Sequence, residues 1–178
     1  MPDSHLESFE RMVLPLLDDA YTLAHHILRD AHDAQDVVQE AYLRAWRHYG
    51  GFHGGDARPW LLAIVRNCAY TWRRGTRVQR DSVAYVEDEH GTGDDSHRAT
   101  DAAAMASSDR AELRDALDQL PPEHREAIVL REIEGLSYKE IAAVTGTPIG
   151  TVMSRLSRAR QRLAEALGVG GRAKERGR

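Results

Sequence analysis

The sequence predicts an all-α fold: two small helical domains joined by a flexible acidic linker. Three observations predict it. Apolar residues recur at helical spacing in one segment after another, with no convincing strand alternation and no internal repeat. Charge is gathered into blocks of one sign. Residues 135–163, GLSYKEIAAVTGTPIGTVMSRLSRARQRL, read as a helix-turn-helix.

In chain order, Leu6 to Leu17 and Ala20 to Leu28 carry apolar residues at helical spacing, and Pro15 marks an early break or kink. Ala34 to Tyr49 is a stronger helix, with Val37, Val38, Ala41, Tyr42, Ala45 and Trp46 on one apolar face. Asp33, Asp36, Gln39, Glu40 and Arg44 lie toward the other. Gly50, Gly51, Gly54 and Gly55 then open a loop. A further helix from about Pro59 to Arg74 turns Trp60, Leu61, Ile64, Val65 and Cys68 inward. These elements make up a first domain over 1–75.

Residues 76–108 are acidic, poor in large apolar groups and rich in Gly, Ser, Thr and Ala, so they read as a flexible linker. The second domain, 109–168, starts with a helix near Asp109 that presents Leu113, Ala116, Leu117 and Leu120. Pro121 and Pro122 stop it. A helix from about Glu123 then carries Ile128, Val129, Leu130 and Ile133 inward. Ser137 and Glu140 form an S-x-x-E capping box for the next helix, with Ile141, Ala142 and Thr145 inward. Gly146 supplies the turn, Thr147 suits a cap, and Pro148 suits the first helical position. In the last helix Val152, Leu156, Ala159 and Leu163 form a buried stripe. Thr151, Arg155, Arg158 and Arg162 fall on a different face beside Ser154. Such a face fits a DNA major groove, where arginine reads guanine edges or holds phosphate. Taken alone, it equally fits a solvated surface helix. Residues 169–178 read as a disordered basic tail.

Composition narrows the function. The net charge of −4 looks wrong for a DNA binder, but Ala57 to Arg80 holds six arginines and no acid. From Asp81 to Asp101 the local charge is −6, and from Thr151 to Arg178 it is +6. Two basic surfaces and an acidic connector follow, and the acidic surplus points to weak binding of free DNA. Cys68 is the lone cysteine, which rules out an internal disulfide and a Cys-based zinc cluster. No metal or other cofactor is expected: His25–His26, and His53 with Asp56, lack ligand spacing. There is no Gly-rich phosphate loop, so the chain does not read as an enzyme. Without a long apolar run or a signal-peptide pattern, no membrane span is expected and a cytoplasmic protein is.

Three segments together resemble the small extracytoplasmic-function RNA polymerase sigma factors of the sigma-70 family. They are DAQDVVQEAYLRAW at 33–46, FHGGDARPWLLAIVRN at 52–67 and LPPEHREAIVLREIEGLSYKEIAAVTGTPIGTVMSRLSRARQRL at 120–163. The resemblance implies a subunit that joins core RNA polymerase through the β′ coiled coil and the β flap, and starts transcription at specific promoters. It implies core docking by Asp36, Gln39 and Glu40, where exposed carboxylates and an amide suit an Arg-bearing helix. A solvated acidic face is the bland alternative.

Recognition and melting of the −10 element is implied for the helix after the glycine loop. Asn67 falls seven residues after Trp60, where the family has an asparagine that engages an unpaired base. An amide offers that base a donor and an acceptor; a plain surface amide is the alternative. Arg66, Arg73, Arg74 and Arg77 would hold nearby phosphates, and Phe52, His53 and Asp56 lie in the loop that holds the flipped base. Trp46 and Trp60 fit core packing better than base stacking, and Trp72 stays open. For the −35 element the resemblance implies Thr151, Met153, Ser154, Arg155, Ser157, Arg158 and Arg162. Met153, Ser157 and Ala63 stand where relatives often have other residues, so the promoter preference is individual. The acidic linker would thread the polymerase, and a cognate anti-sigma factor is an expected partner. The rival is a helix-turn-helix regulator that never joins the polymerase; Asp36, Gln39 and Glu40 argue against it.

Overall fold

Proline has no N–H to continue a helical ladder, and its ring crowds the preceding turn. In the computed structural model, which describes residues 2–82 and 101–168, helix α1 (Pro2–Val13) accordingly tightens into a 3₁₀ turn, Leu14–Leu16, around Pro15. Helix α2 (Leu17–Leu28) ends at Arg29, whose φ of 63° is a left-handed conformation that costs a residue with a Cβ. Asp30 starts α3 (Ala31–His48), its side chain accepting the Asp33 N–H at 2.8 Å. A turn at Tyr49–Gly51 and the glycine loop lead to α4 (Ala57–Ser82).

Helices α2, α3 and α4 pack on one another through Leu23, Val37, Ala41, Leu61 and Val65, all fully buried. Helix α1 closes one end through an aromatic group in which Phe9 meets Trp46 and Tyr49 edge-on. Tyr42 ties α3 to α1 by donating to the Val13 carbonyl at 2.9 Å; burial pushes its phenol up to about 12.

The C-terminal half comprises α5 (Asp101–Asp118), α6 (Pro122–Ile128), α7 (Tyr138–Thr145) and α8 (Ile149–Ala166). The expected elements are present, with four differences. Helix α4 continues past Arg74 to Ser82 and α5 begins at Asp101, so both ends of the stretch read as linker are helical. Its remainder, 83–100, and the tail from residue 169 lie outside the described residues. Trp46, expected in the core, is exposed, as is Leu113 of the α5 apolar pattern. So is Ile133, because α6 runs into a wide π turn, Val129–Ile133. One extra residue shifts the helical phase by about 100° and carries Ile133 off the inward face. Finally, Thr147 does not cap α8, and Pro148 stands at the N-cap itself rather than at the first helical position. The Thr147 hydroxyl lies 2.8 Å from that of Thr145, and the Pro148 carbonyl receives the first N–H groups of α8.

The halves are not separate in this structure. One cluster of buried apolar side chains runs from Phe9 and Leu23 through Leu61 and Leu120 to Leu130 and Leu156. Helix α7 lies against α4, and α6 against α2.

Candidate nucleic-acid interface

The helix-turn-helix is built as its sequence dictates. Ser137 Oγ accepts the Glu140 N–H at 3.2 Å and Glu140 Oε2 accepts the Ser137 N–H at 2.7 Å, a complete capping box. Those hydrogen bonds hold the Glu140 carboxyl below its ordinary range. Gly146, at φ 65°, ends α7 in a left-handed turn that a Cβ would strain. Val152, Leu156 and Ala159 then bury one side of α8. The opposite side leaves Met153, Ser154, Ser157, Arg158 and Arg162 exposed, with Thr151 and Arg155 at its edge. The Ser154 hydroxyl donates back to the Thr151 carbonyl at 3.0 Å. This surface is electropositive: burial, and then Arg162 and Arg158, hold the His124 imidazole below its usual value.

Helix α4 is presented differently. Asn67, Arg73, Arg74 and Arg77 are exposed, and the loop places His53 in solvent. Phe52 packs against Trp60, ring centres 4.9 Å apart. Asp56 accepts the Arg58 N–H at 2.9 Å, so it begins α4. Arg66, the expected phosphate ligand, is already occupied. Its Nε and Nη2 lie 2.5 and 3.3 Å from the two oxygens of Glu126, a fork-to-fork pair with a carboxylate buried in α6. The Arg66 guanidinium also lies over the Tyr70 ring at 4.6 Å, and the Tyr70 hydroxyl donates to Glu126 at 3.3 Å. Burial raises the Glu126 carboxyl, against the opposing pull of Arg66 and Tyr70. Burial, and next the Glu126 charge, push Tyr70 up to about 12.

Two further ion pairs join the halves. Arg58 Nη2 meets Glu134 at 2.7 Å while its Nε meets Asp19 at 2.7 Å, and Arg29 meets Asp118 at 3.1 Å. Sequence reading missed this seam because its partners lie far apart in the chain. Two signals were there to be read. Arg58, Leu62, Arg66 and Tyr70 recur every four residues on α4, and Glu126 sits in helical phase with Val129 and Leu130 on an apolar face.

On α3, Asp36 and Gln39 are exposed, while Glu40 accepts from Arg44 at 2.7 Å one helical turn on. Beside them an open groove of about 450 Å³ is lined by Leu17, Tyr21, Val38, Gln39 and Tyr42. The structure thus brings together the α8 residues on one exposed face and the α3 residues on another. It sets Arg66 apart from Asn67, one half-buried in the seam and the other in solvent. Among the described residues, no group of acidic, His and Cys side chains is placed to hold a metal, and no helix is long and apolar enough to cross a membrane.

Residues 12–78 match the family model for sigma-70 region 2, and residues 110–163 match that for sigma-70 region 4. The chain is 39% identical over 171 residues to the RNA polymerase sigma-H factor of Pseudomonas aeruginosa, covering 90% of this chain and 86% of that protein. It is 36% identical over 163 residues to the ECF RNA polymerase sigma factor SigE of Mycolicibacterium smegmatis, covering 91% of this chain and 62% of the relative. Among solved structures, the sigma factor RpoE of Bartonella quintana, in complex with the anti-sigma factor NepR, superposes with a TM-score of 0.75 at 31% identity. That superposition covers 92% of this chain and 98% of RpoE.

Proposed function

The chain belongs to the extracytoplasmic-function branch of the sigma-70 family of RNA polymerase sigma factors, and we propose how its residues divide that work. As such it binds core RNA polymerase and directs initiation at specific promoters. In our reading, residues 1–75 dock on the polymerase and open the −10 element, and residues 109–168 read the −35 element. Docking falls to Asp36, Gln39 and Glu40, which meet the β′ coiled coil; the exposure of Asp36 and Gln39 supports this. The second half meets the β flap.

The observation that carries the reading is the α7–α8 unit: a capped helix, a left-handed glycine turn, and a second helix with an exposed Arg/Ser face. Arg155, Arg158 and Arg162 hold phosphates or guanine edges, Ser154, Ser157 and Thr151 add hydrogen bonds, and Met153 offers an apolar contact to a thymine methyl. At the −10 element Asn67 captures an unpaired base through its Watson–Crick edge. Arg66, Arg73, Arg74 and Arg77 neutralise the neighbouring backbone, and Phe52, His53 and Asp56 frame the loop. Base capture stabilises the open strand against an unstacking cost of about a few kcal/mol. No bond is made or broken by the chain itself, so we read it as an initiation factor without catalytic activity, working in the cytoplasm beside the polymerase. An anti-sigma factor is a further proposed partner, since RpoE was solved with one.

Run-off transcription by core polymerase on a pool of genomic promoters, with and without the chain, tests this. New transcripts should appear only with the chain, and their absence would sink the reading. Loss of those transcripts in Asn67→Ala, with −35 duplex binding retained, assigns melting to α4.

A further inference from the structure

We propose that α8 selects thymine: Ile149 and Met153 form an apolar edge that takes the C5-methyl groups of neighbouring thymines in the major groove. This rests on the reading of α8 as the −35 helix and names the base that the helix prefers.

Helix α8 divides its exposed surface in two. Ile149, Met153 and Ser157 follow one another at intervals of four residues, so they line one edge. Thr151, Arg155, Arg158 and Arg162 run along the other side. Met153, 52% exposed, is the most open large apolar side chain among the described residues, and Ile149 is 46% exposed. Arg160 is the one charged side chain of α8 that falls beside this apolar row, and Glu132 holds it. Its Nε and Nη2 lie 3.2 and 2.6 Å from the same carboxylate oxygen. The apolar edge therefore has no arginine at hand for a guanine.

Position decides what this edge meets. Ile149 is the first residue of α8, and Met153 lies just over one turn further on. A helix-turn-helix sets the N-terminal residues of its second helix against base edges. The side chains that reach bases first are then the apolar pair, while Arg155 and Arg162 on the far side hold phosphates. Of the groups that base pairs present in the major groove, the thymine methyl alone is apolar. Guanine and cytosine present acceptors and a donor, which these two side chains would strip of water without replacing its hydrogen bonds. Four residues of helix span about 6 Å, close to two base steps of about 3.4 Å, so the pair suits thymines that near to each other. Ser154 fits the same base pair. Its proton goes to the Thr151 carbonyl at 3.0 Å, which leaves its oxygen to accept from the amino group of the adenine opposite.

The full-length chain on duplex DNA tests this without the polymerase. A fluorescent duplex library, randomised over one helical turn of about ten base pairs, is enriched by mobility shift at low salt. The enriched duplex is then remade with uracil in place of thymine, which removes the methyl groups and leaves pairing and phosphates as they were. Enriched duplexes should carry thymines within about two base steps of each other. The unsubstituted chain should bind the uracil duplex more weakly, by about fourfold for each methyl lost. Ile149→Ala combined with Met153→Ala should bind thymine and uracil duplexes alike, with thermal unfolding unchanged because both side chains are exposed. Met153→Leu, which keeps an apolar end, should retain the difference. Arg162→Ala should weaken both duplexes equally and preserve their ratio. Equal binding of the two duplexes by the unsubstituted chain overturns the proposal, and so does a difference that survives in the double alanine variant. Failure to bind any duplex is a separate outcome: it removes α8 as a DNA reader, and the thymine preference with it.

Discussion

Helices α4 and α8 each carry a row of arginines, yet the structure treats them in opposite ways. On α8 the apolar stripe is turned into the second half, and Arg158 and Arg162 are left to solvent. On α4 one edge, Arg58 to Tyr70, is turned toward the other half, and its arginines meet carboxylates there. A basic stretch in a sequence is thus not one kind of object. Whether it faces DNA or a protein carboxylate depends on what the fold brings against it.

The largest effects test whether the halves are as joined as their common core indicates. Leu23→Ala in α2 and Leu156→Ala in α8 each remove a fully buried side chain and should cost about 2–5 kcal/mol. Followed by urea denaturation, both should lower one shared transition. Two separate transitions, each sensitive to one substitution, would break the joined picture. Next comes the exposed side of the contrast. Arg158→Ala should weaken binding of −35 duplex by about 1–3 kcal/mol if it reads a guanine. If it holds a phosphate, the salt slope should fall by about 1 instead. An unchanged titration would return α8 to an ordinary solvated helix.

A smaller effect concerns how α7 is set. Ser137→Ala removes half of the capping box and should cost about 1 kcal/mol of stability. Thermal unfolding measures it, and a neutral result would mean that packing of α7 on α4 alone fixes the helix. The smallest effect lies at the seam. Burial, and then His25, hold the half-buried His26 below 6.5, with Arg125 and Arg114 adding to the depression and Asp118 opposing it. The folded imidazole then binds fewer protons than the unfolded one just below pH 6.5, so this contribution to stability rises with pH and is lost on acidification through that window. His26→Gln should flatten the stability curve there. Parallel curves for the two proteins would remove His26 from the account.

Local chemistry was legible in the sequence. The capping box, the Pro15 break, the Gly146 turn and the buried stripe of α8 all follow from residues within one or two turns of each other. Spacing failed where helical phase changed, as at Ile133, since a wide turn leaves no mark in an apolar pattern. It also failed for α4 past Arg74: Gly75 and a run of polar residues look like a stop, yet helix continues to Ser82. The seam was out of reach for a different reason. Arg66 and Glu126 are 60 residues apart, and neither alone announces the other. For the candidate site, α8 could be read from its own periodicity, whereas the pairing of Arg66 with Glu126 needed the tertiary structure.

The charges along the seam also bear on modularity. If each half reads its own DNA element, as proposed, exchanging one half for that of a relative would be a way to combine promoter preferences. Here the cations Arg29, Arg58 and Arg66 belong to one half, and the anions Asp118, Glu134 and Glu126 to the other. A transplanted half would keep this seam only if it supplied the matching charges. The charge pattern of the seam thus matches each half to the particular half it meets.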